Sequence, residues 1–215
     1  MFKDSKLEQI QRELVKMADL VQKGIVEVTD GLVNRNRKLI ESAKDKEQLT
    51  DVIAQGIEKL SISSIALYQP VSRDLRLIAS SLFISSDFER IGDLILNIAD
   101  ASLSIIEKPP LKPYVDIPRM CETLVSMIEE LRNAMINNET TSCDSIAKKD
   151  TIIDSLYHKI WRELLSFMIE DVKTIEIAET ILHIAKQYER IGDHITNIAE
   201  RICYIQTGKV PDLNE

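Results

Sequence analysis

The sequence predicts an all-α protein built as two tandem, similar three-helix bundles, with six long antiparallel helices in all. Residues 89–99 read ERIGDLILNIA and residues 189–199 read ERIGDHITNIA, the same phrase 100 positions apart, which marks an internal duplication. Apolar residues recur with the 3.6-residue period of a helix through long segments, and few stretches alternate with the period of a strand. Four of the six prolines, Pro109, Pro110, Pro113 and Pro118, crowd into KPPLKPYVDIP, which marks the domain boundary. The expected organisation is therefore a first bundle over 1–108, a proline-rich linker over 109–118 and a second bundle over 119–215.

The periodicity places helices over 4–42, 46–68, 72–107, 119–139, 144–170 and 174–206. Pro70 in YQPVSRD stops the second helix, because proline lacks an N–H and disfavours helix at Gln69, and Ser72 can cap the third. In the second half IEDVKT stands at the matching break, with Asp171 as the candidate cap and no proline. Such short connections make neighbouring helices antiparallel.

Composition narrows the function. The 215 residues carry a net charge of −8, with a pI near 5.1, which argues against nucleic acid or an anionic membrane surface and favours cations. No apolar run reaches the roughly 20 residues of a membrane span, and MFKDSKLEQI lacks the apolar segment of a secretory signal, so a cytoplasmic protein is expected. Cys121, Cys143 and Cys203 show no CxxC spacing and are read as thiols rather than as a disulfide framework or a zinc knuckle.

The repeated phrase has two faces. Ile84, Phe88, Ile91, Ile95 and Ile98 fall on one stripe, as do Ile184, Tyr188, Ile191, Ile195 and Ile198, and both stripes should face a core. Glu89 and Asp93, like Glu189 and Asp193, point the other way and sit one turn apart, about 6 Å between Cβ atoms, where like charges repel. Acidic pairs of the same spacing recur earlier in each half, Glu47 with Asp51 in EQLTD and Asp150 with Asp154 in DTIID. The centres of the first two pairs, Leu49 and Ile91, each lie 21 residues from Pro70, and the centres of the other two are equidistant from the break between Asp171 and Val172. A hairpin folded at each break brings four carboxylates together. Such a cluster calls for cations, and oxygen ligands suit Mg, Ca, Mn or Fe better than Zn. Asn97 and Asn197 follow one turn later as possible supporting amides. Gly92 and Gly192 each cost about 1 kcal/mol relative to alanine in a helix, so both imply either close helix approach or space beside a site.

These features resemble the PhoU family of phosphate-transport regulatory proteins, through the two ERIGD segments with their trailing NIA, the QPVSRDLR turn, DTIID and the tandem three-helix layout. The resemblance implies a cytosolic, non-enzymatic, negative regulator of phosphate uptake and phosphate-starvation signalling. The partners it implies are the ATPase subunit of the phosphate ABC transporter and a membrane sensor histidine kinase, and a homo-oligomer such as a homodimer is expected. It implies metal sites at Glu47, Asp51, Glu89, Asp93, Asp150, Asp154, Glu189 and Asp193. The second half departs at its turn, so any partner role of Arg73 or Arg76 belongs to the first half alone; the ordinary role is a salt bridge to Asp74 or a neighbour.

Two other functions compete. A carboxylate-bridged dimetal oxidase would place Glu-x-x-His elements on two helices, and His158, His183 and His194 all miss that offset. A metal-free helical adaptor would use its acidic faces to dock basic surfaces. Arg90 and Arg190 are expected to bridge to a neighbouring helix and orient the carboxylates rather than to bind phosphate. No nucleotide loop or nucleophile–base constellation offers catalysis a foothold.

Overall fold

The computed structural model describes residues 2–137, 143–209 and 211. Six helices follow in order: α1 (Phe2–Val33), α2 (Arg37–Tyr68), α3 (Ser72–Ile105), α4 (Asp116–Asn137), α5 (Cys143–Glu170) and α6 (Ile175–Thr207), with one 3-10 turn, Val172–Thr174, before α6. The end expected for α4, at 138–139, lies outside the described residues.

The first turn corrects the expected boundary at 42–46. α1 ends at Val33, Arg35 adopts a left-handed φ of 53°, and the Asn36 side chain caps α2 by accepting from the N–H groups of Lys38 and Leu39 at 3.2 and 3.4 Å. Apolar periodicity runs on through Ile40 and Ala43, both fully buried, so it masks a break made by Asn-Arg-Asn alone. Gly31 is required here, because a Cβ would fall 2.5 Å from Ile40 Cγ1. At the α2–α3 turn, Gln69 takes the left-handed cap conformation and Pro70 follows. Ser72 does not cap: the N-cap of α3 is extended Val71, whose side chain makes no capping hydrogen bond. Asp171 does cap, accepting from Lys173 N–H at 2.9 Å.

Helices α1 to α3 and α4 to α6 form two three-helix bundles. Lys46 pairs with Glu27 across α1 and α2, and Lys44 with Asp100 across α2 and α3 at 2.7 Å, as antiparallel neighbours require. Both predicted stripes are core: every one of their ten members is at most 2 % exposed.

The bundles join chiefly through α3 and α6. Arg76 donates to the Ile205 carbonyl from Nε and Nη2 at 3.2 and 3.1 Å, Arg73 reaches Gln206 Oε1 at 3.2 Å, and Asp87 meets His194 Nδ1 at 2.9 Å. The two helices therefore run antiparallel, and in that register Arg90 lies level with Ile191. The ERIGD segments that open the two repeated phrases therefore cross at their middles. Fully buried Tyr188 shares a 2.6 Å hydrogen bond with Thr29 of α1, tying the second bundle to the first.

The cysteine reading is corrected. Cys143 and Cys203 form a disulfide across α5 and α6, while Cys121 is a buried free thiol. The hairpin about Asp171–Thr174 brings residues 60 apart in sequence to one height, a proximity that spacing rules such as CxxC do not register. Among the described residues there is no strand, and no helix is long and apolar enough to cross a membrane.

Candidate functional site

The hairpins assemble both acidic groups. In the first, Glu47 and Asp51 of α2 face Glu89 and Asp93 of α3. Burial, then Asp51, Asp93 and Glu89, raise the Glu47 carboxyl above its ordinary pKa. Burial and Asp93 do the same to Asp51. Glu89 is raised by burial and Asp51, partly opposed by Arg90, with Asp93 and Glu58 adding to the rise. Glu47, Asp51 and Glu89 thus each feel a carboxylate across the α2–α3 seam.

The second group is deeper. Asp150 is 9 % exposed, and its carboxyl is pushed up to about 7 by burial first and then by Asp154, Asp193 and Glu189. Asp154 and Asp193 are also raised, by burial and then Glu189, with Lys186 opposing in both cases. Single-helix geometry places these carboxylates on outer, solvated faces, but the neighbouring helix covers that flank and leaves several of them in the seam between helices.

Three carboxylate oxygens, Asp51 Oδ1, Asp150 Oδ1 and Glu189 Oε2, are buried and accept no hydrogen bond. An unsatisfied buried acceptor is costly, more so when charged, and a cation or a proton would relieve it. The donor set is oxygen-rich and fits hard ions. Among the described residues, no three His, Cys, Asp or Glu side chains converge closely enough to hold one ion as they stand. Ligation would require the side chains to turn toward a common centre.

The two glycines serve different ends. A Cβ at Gly92 would lie 3.6 Å from Glu47 Cα, an ordinary contact that marks close approach of the α2 backbone. At Gly192 a Cβ would overlap Asp150 Oδ1, so this glycine makes the space in which the buried carboxylate sits. Arg90 does not bridge to a neighbouring helix; it pairs with Asp93 one turn along α3 at 3.2 Å, where both side chains remain substantially exposed. Arg190 and Asn97 are exposed, and Asn197 is half-buried.

Two participants lie outside the four-residue acidic pairs. Lys186 Nζ is 2.6 Å from Glu189 Oε1 and stands 5.3 Å from the Tyr157 ring centre, giving the second cluster a built-in cation. Glu58, one turn beyond Ala54 on α2, extends the first cluster toward the hairpin tip. Aligning the halves on their acidic pairs would have revealed both, since Lys186 aligns with Ser86 and Glu58 with Trp161.

This arrangement defines a class: duplicated three-helix proteins whose hairpin seams gather carboxylates. The PhoU domain family model matches residues 14–102 and 117–202, once in each half, and the chain belongs to the PhoU family. It is 38% identical over 204 residues to the "Phosphate-specific transport system accessory protein PhoU homolog" of Aquifex aeolicus, covering 95% of this chain and 92% of that protein. The homologue of the same description from Deinococcus radiodurans is 32% identical over 194 residues, covering 90% of this chain and 91% of the relative. The crystal structure of PhoU from Pseudomonas aeruginosa superposes with a TM-score of 0.90 at 28% identity, covering 96% of this chain and 99% of that one. That of the phosphate transport system regulatory protein PhoU from Streptococcus pneumoniae gives 0.89 at 27%, covering 98% and 99%.

Proposed function

We propose that this protein is a cytoplasmic, metal-binding accessory regulator of phosphate transport that lowers phosphate uptake and phosphate-starvation signalling through protein contacts, without catalysis of its own. The observation that carries the metal reading is the set of buried, unbonded oxygens of Asp51, Asp150 and Glu189 inside groups of four acids. A multivalent cation drawing Glu47, Asp51, Glu89 and Asp93 together would remove their repulsion and lock α2 to α3. The same would hold for Asp150, Asp154, Glu189 and Asp193 between α5 and α6. Mg, Ca, Mn and Fe suit these ligands, and Zn is less favoured.

The transport role follows the family, whose named members are accessory or regulatory proteins of phosphate transport. The proposed partners are the transporter's ATPase subunit and a sensor histidine kinase. Exposed apolar side chains at the hairpin ends, Leu67 and Val71 in the first and Ile169 and Val172 in the second, all at least 69 % exposed, offer contact surface for them or for a second copy.

Metal analysis of purified protein tests the first part. The native chain should retain or rebind multivalent ions at neutral pH, and a variant with alanine at Glu89, Asp93, Glu189 and Asp193 should not. If neither rises above background, the chain is instead a metal-free acidic adaptor. Pull-down of the ATPase subunit and of the kinase under phosphate-rich conditions tests the second part, and loss of both contacts would sink it.

A further inference from the structure

The duplication lets each half serve as a template for the other, and the halves differ in one consequential place. In the second, Lys186 delivers an ammonium to Glu189 at 2.6 Å, its Nζ lying over the Tyr157 ring 5.3 Å from the ring centre. In the first, the aligned positions are Ser86 and Ala54, both small. A groove of about 320 Å3 opens there between α2 and α3, lined by Ala54, Gln55, Glu58, Leu82, Ser86 and Glu89. Arg90, the basic residue beside Glu89, pairs with Asp93 instead.

We infer that this groove is a docking site for a lysine side chain presented by a protein partner, its ammonium seated against Glu58 and Glu89 where the second half supplies Lys186. The chemistry of the walls fits that occupant. Ala54 and Leu82 give an apolar bed for the four-carbon stem, which favours burial of methylene groups while the charge stays at the rim. Glu58 and Glu89 supply the counter-charge, and Gln55 and Ser86 can accept the remaining ammonium donors. A guanidinium is a planar fork, whereas the position copied from the second half is that of a single compact ammonium. The inference rests on the groove and on the comparison of the halves: Glu189 meets Lys186 through Oε1 and leaves Oε2 unbonded in the cluster, so Glu89 can likewise offer one oxygen to an ammonium and the other to the first cluster.

The test is amide chemical-shift mapping on the 15N-labelled full chain in excess Mg2+, which keeps any effect on the acidic clusters constant. The probes are the peptide Ac-Ala-Lys-Ala-NH2, the same peptide with norleucine in place of lysine, and butylammonium. The lysine peptide should shift the amides of residues 54, 55, 82 and 86 saturably, at least ten-fold more tightly than the norleucine peptide or butylammonium. Ser86→Lys, which installs the second half's own cation, should abolish those shifts. Glu58→Gln, lying outside the four-acid cluster, should weaken them several-fold and keeps the test decisive if Ser86→Lys does not fold. Equal response to norleucine, lysine-peptide shifts that survive in folded Ser86→Lys, or an affinity unchanged by Glu58→Gln, would overturn the proposal. Butylammonium binding as tightly as the peptide would make this a free-amine site and overturn the protein partner.

Discussion

Gly192 on α6 lies directly against Asp150 on α5, so closely that a Cβ at 192 would overlap the carboxylate oxygen Oδ1. The pseudo-equivalent Gly92 leaves 3.6 Å to the nearest atom of Glu47. The two substitutions to alanine should therefore diverge. Gly92→Ala should be neutral or stabilising, by up to about 1 kcal/mol from helix propensity. Gly192→Ala should displace Asp150 and weaken cation binding at the second cluster alone, about ten-fold or more. Urea unfolding and calorimetric titration with Mn2+ read the two effects separately.

Asp150, with its pKa near 7 against an ordinary 3.8, binds more proton in the folded than in the unfolded chain between those values. Stability of metal-free protein should therefore be greatest at the acidic end of that window and fall as pH rises from about 4 through about 7. Glu47, Asp51, Glu89, Asp154 and Asp193 shift in the same direction and reinforce the trend. A bound cation replaces the proton, so saturating Mg2+ should flatten the dependence. Melting temperatures at pH 5 and pH 8, with chelator and with Mg2+, would check this, and higher metal-free stability at pH 8 would contradict it.

Asp150→Asn keeps the shape of the side chain and removes its charge. Because the buried Asp150 Oδ1 has no hydrogen bond and its neighbours are acidic, metal-free protein at pH 8 should become more stable, while cation affinity at the second cluster falls. Opposite signs in stability and binding distinguish a ligand-holding acid from a merely structural one.

Tyr188→Phe copies the first half's Phe88 into the second. It removes the 2.6 Å bond to Thr29, whose own hydroxyl still donates to the Ile25 carbonyl at 2.6 Å. The cost should be about 1 kcal/mol, a fall of roughly 2–4 °C in melting temperature for a chain of this size.

Cys143 and Cys203 should be unreactive and Cys121 the single thiol when protein purified without reductant is denatured and titrated; reduction should raise the count to three. Opening this bridge should lower stability by up to about 4 kcal/mol, by the chain-entropy relation for a loop of this length. In the reducing cytosol such a bond would be transient, so three thiols in protein quenched directly from cells would fit the proposed location.

Much of this molecule is legible in one dimension. The duplication, the helical period, both buried stripes and the register of the acidic pairs about each hairpin follow from residue spacing, because spacing along a helix fixes direction and spacing about a turn fixes height. The α1–α2 boundary is not legible in the same way. Asn34, Arg35 and Asn36 break a helix without proline or glycine at the break itself, while apolar periodicity continues across it.

The sequence by itself determined which acids exist, in which pairs and at what height. Only the tertiary structure decided how deeply each is buried, that Arg90 turns to Asp93 within its own helix, that Lys186 answers Glu189 where Ser86 leaves Glu89 open, and that Cys143 reaches Cys203. Those outcomes depend on the flank of a second helix, and desolvation and partner choice belong to the space between elements rather than to either element's own pattern.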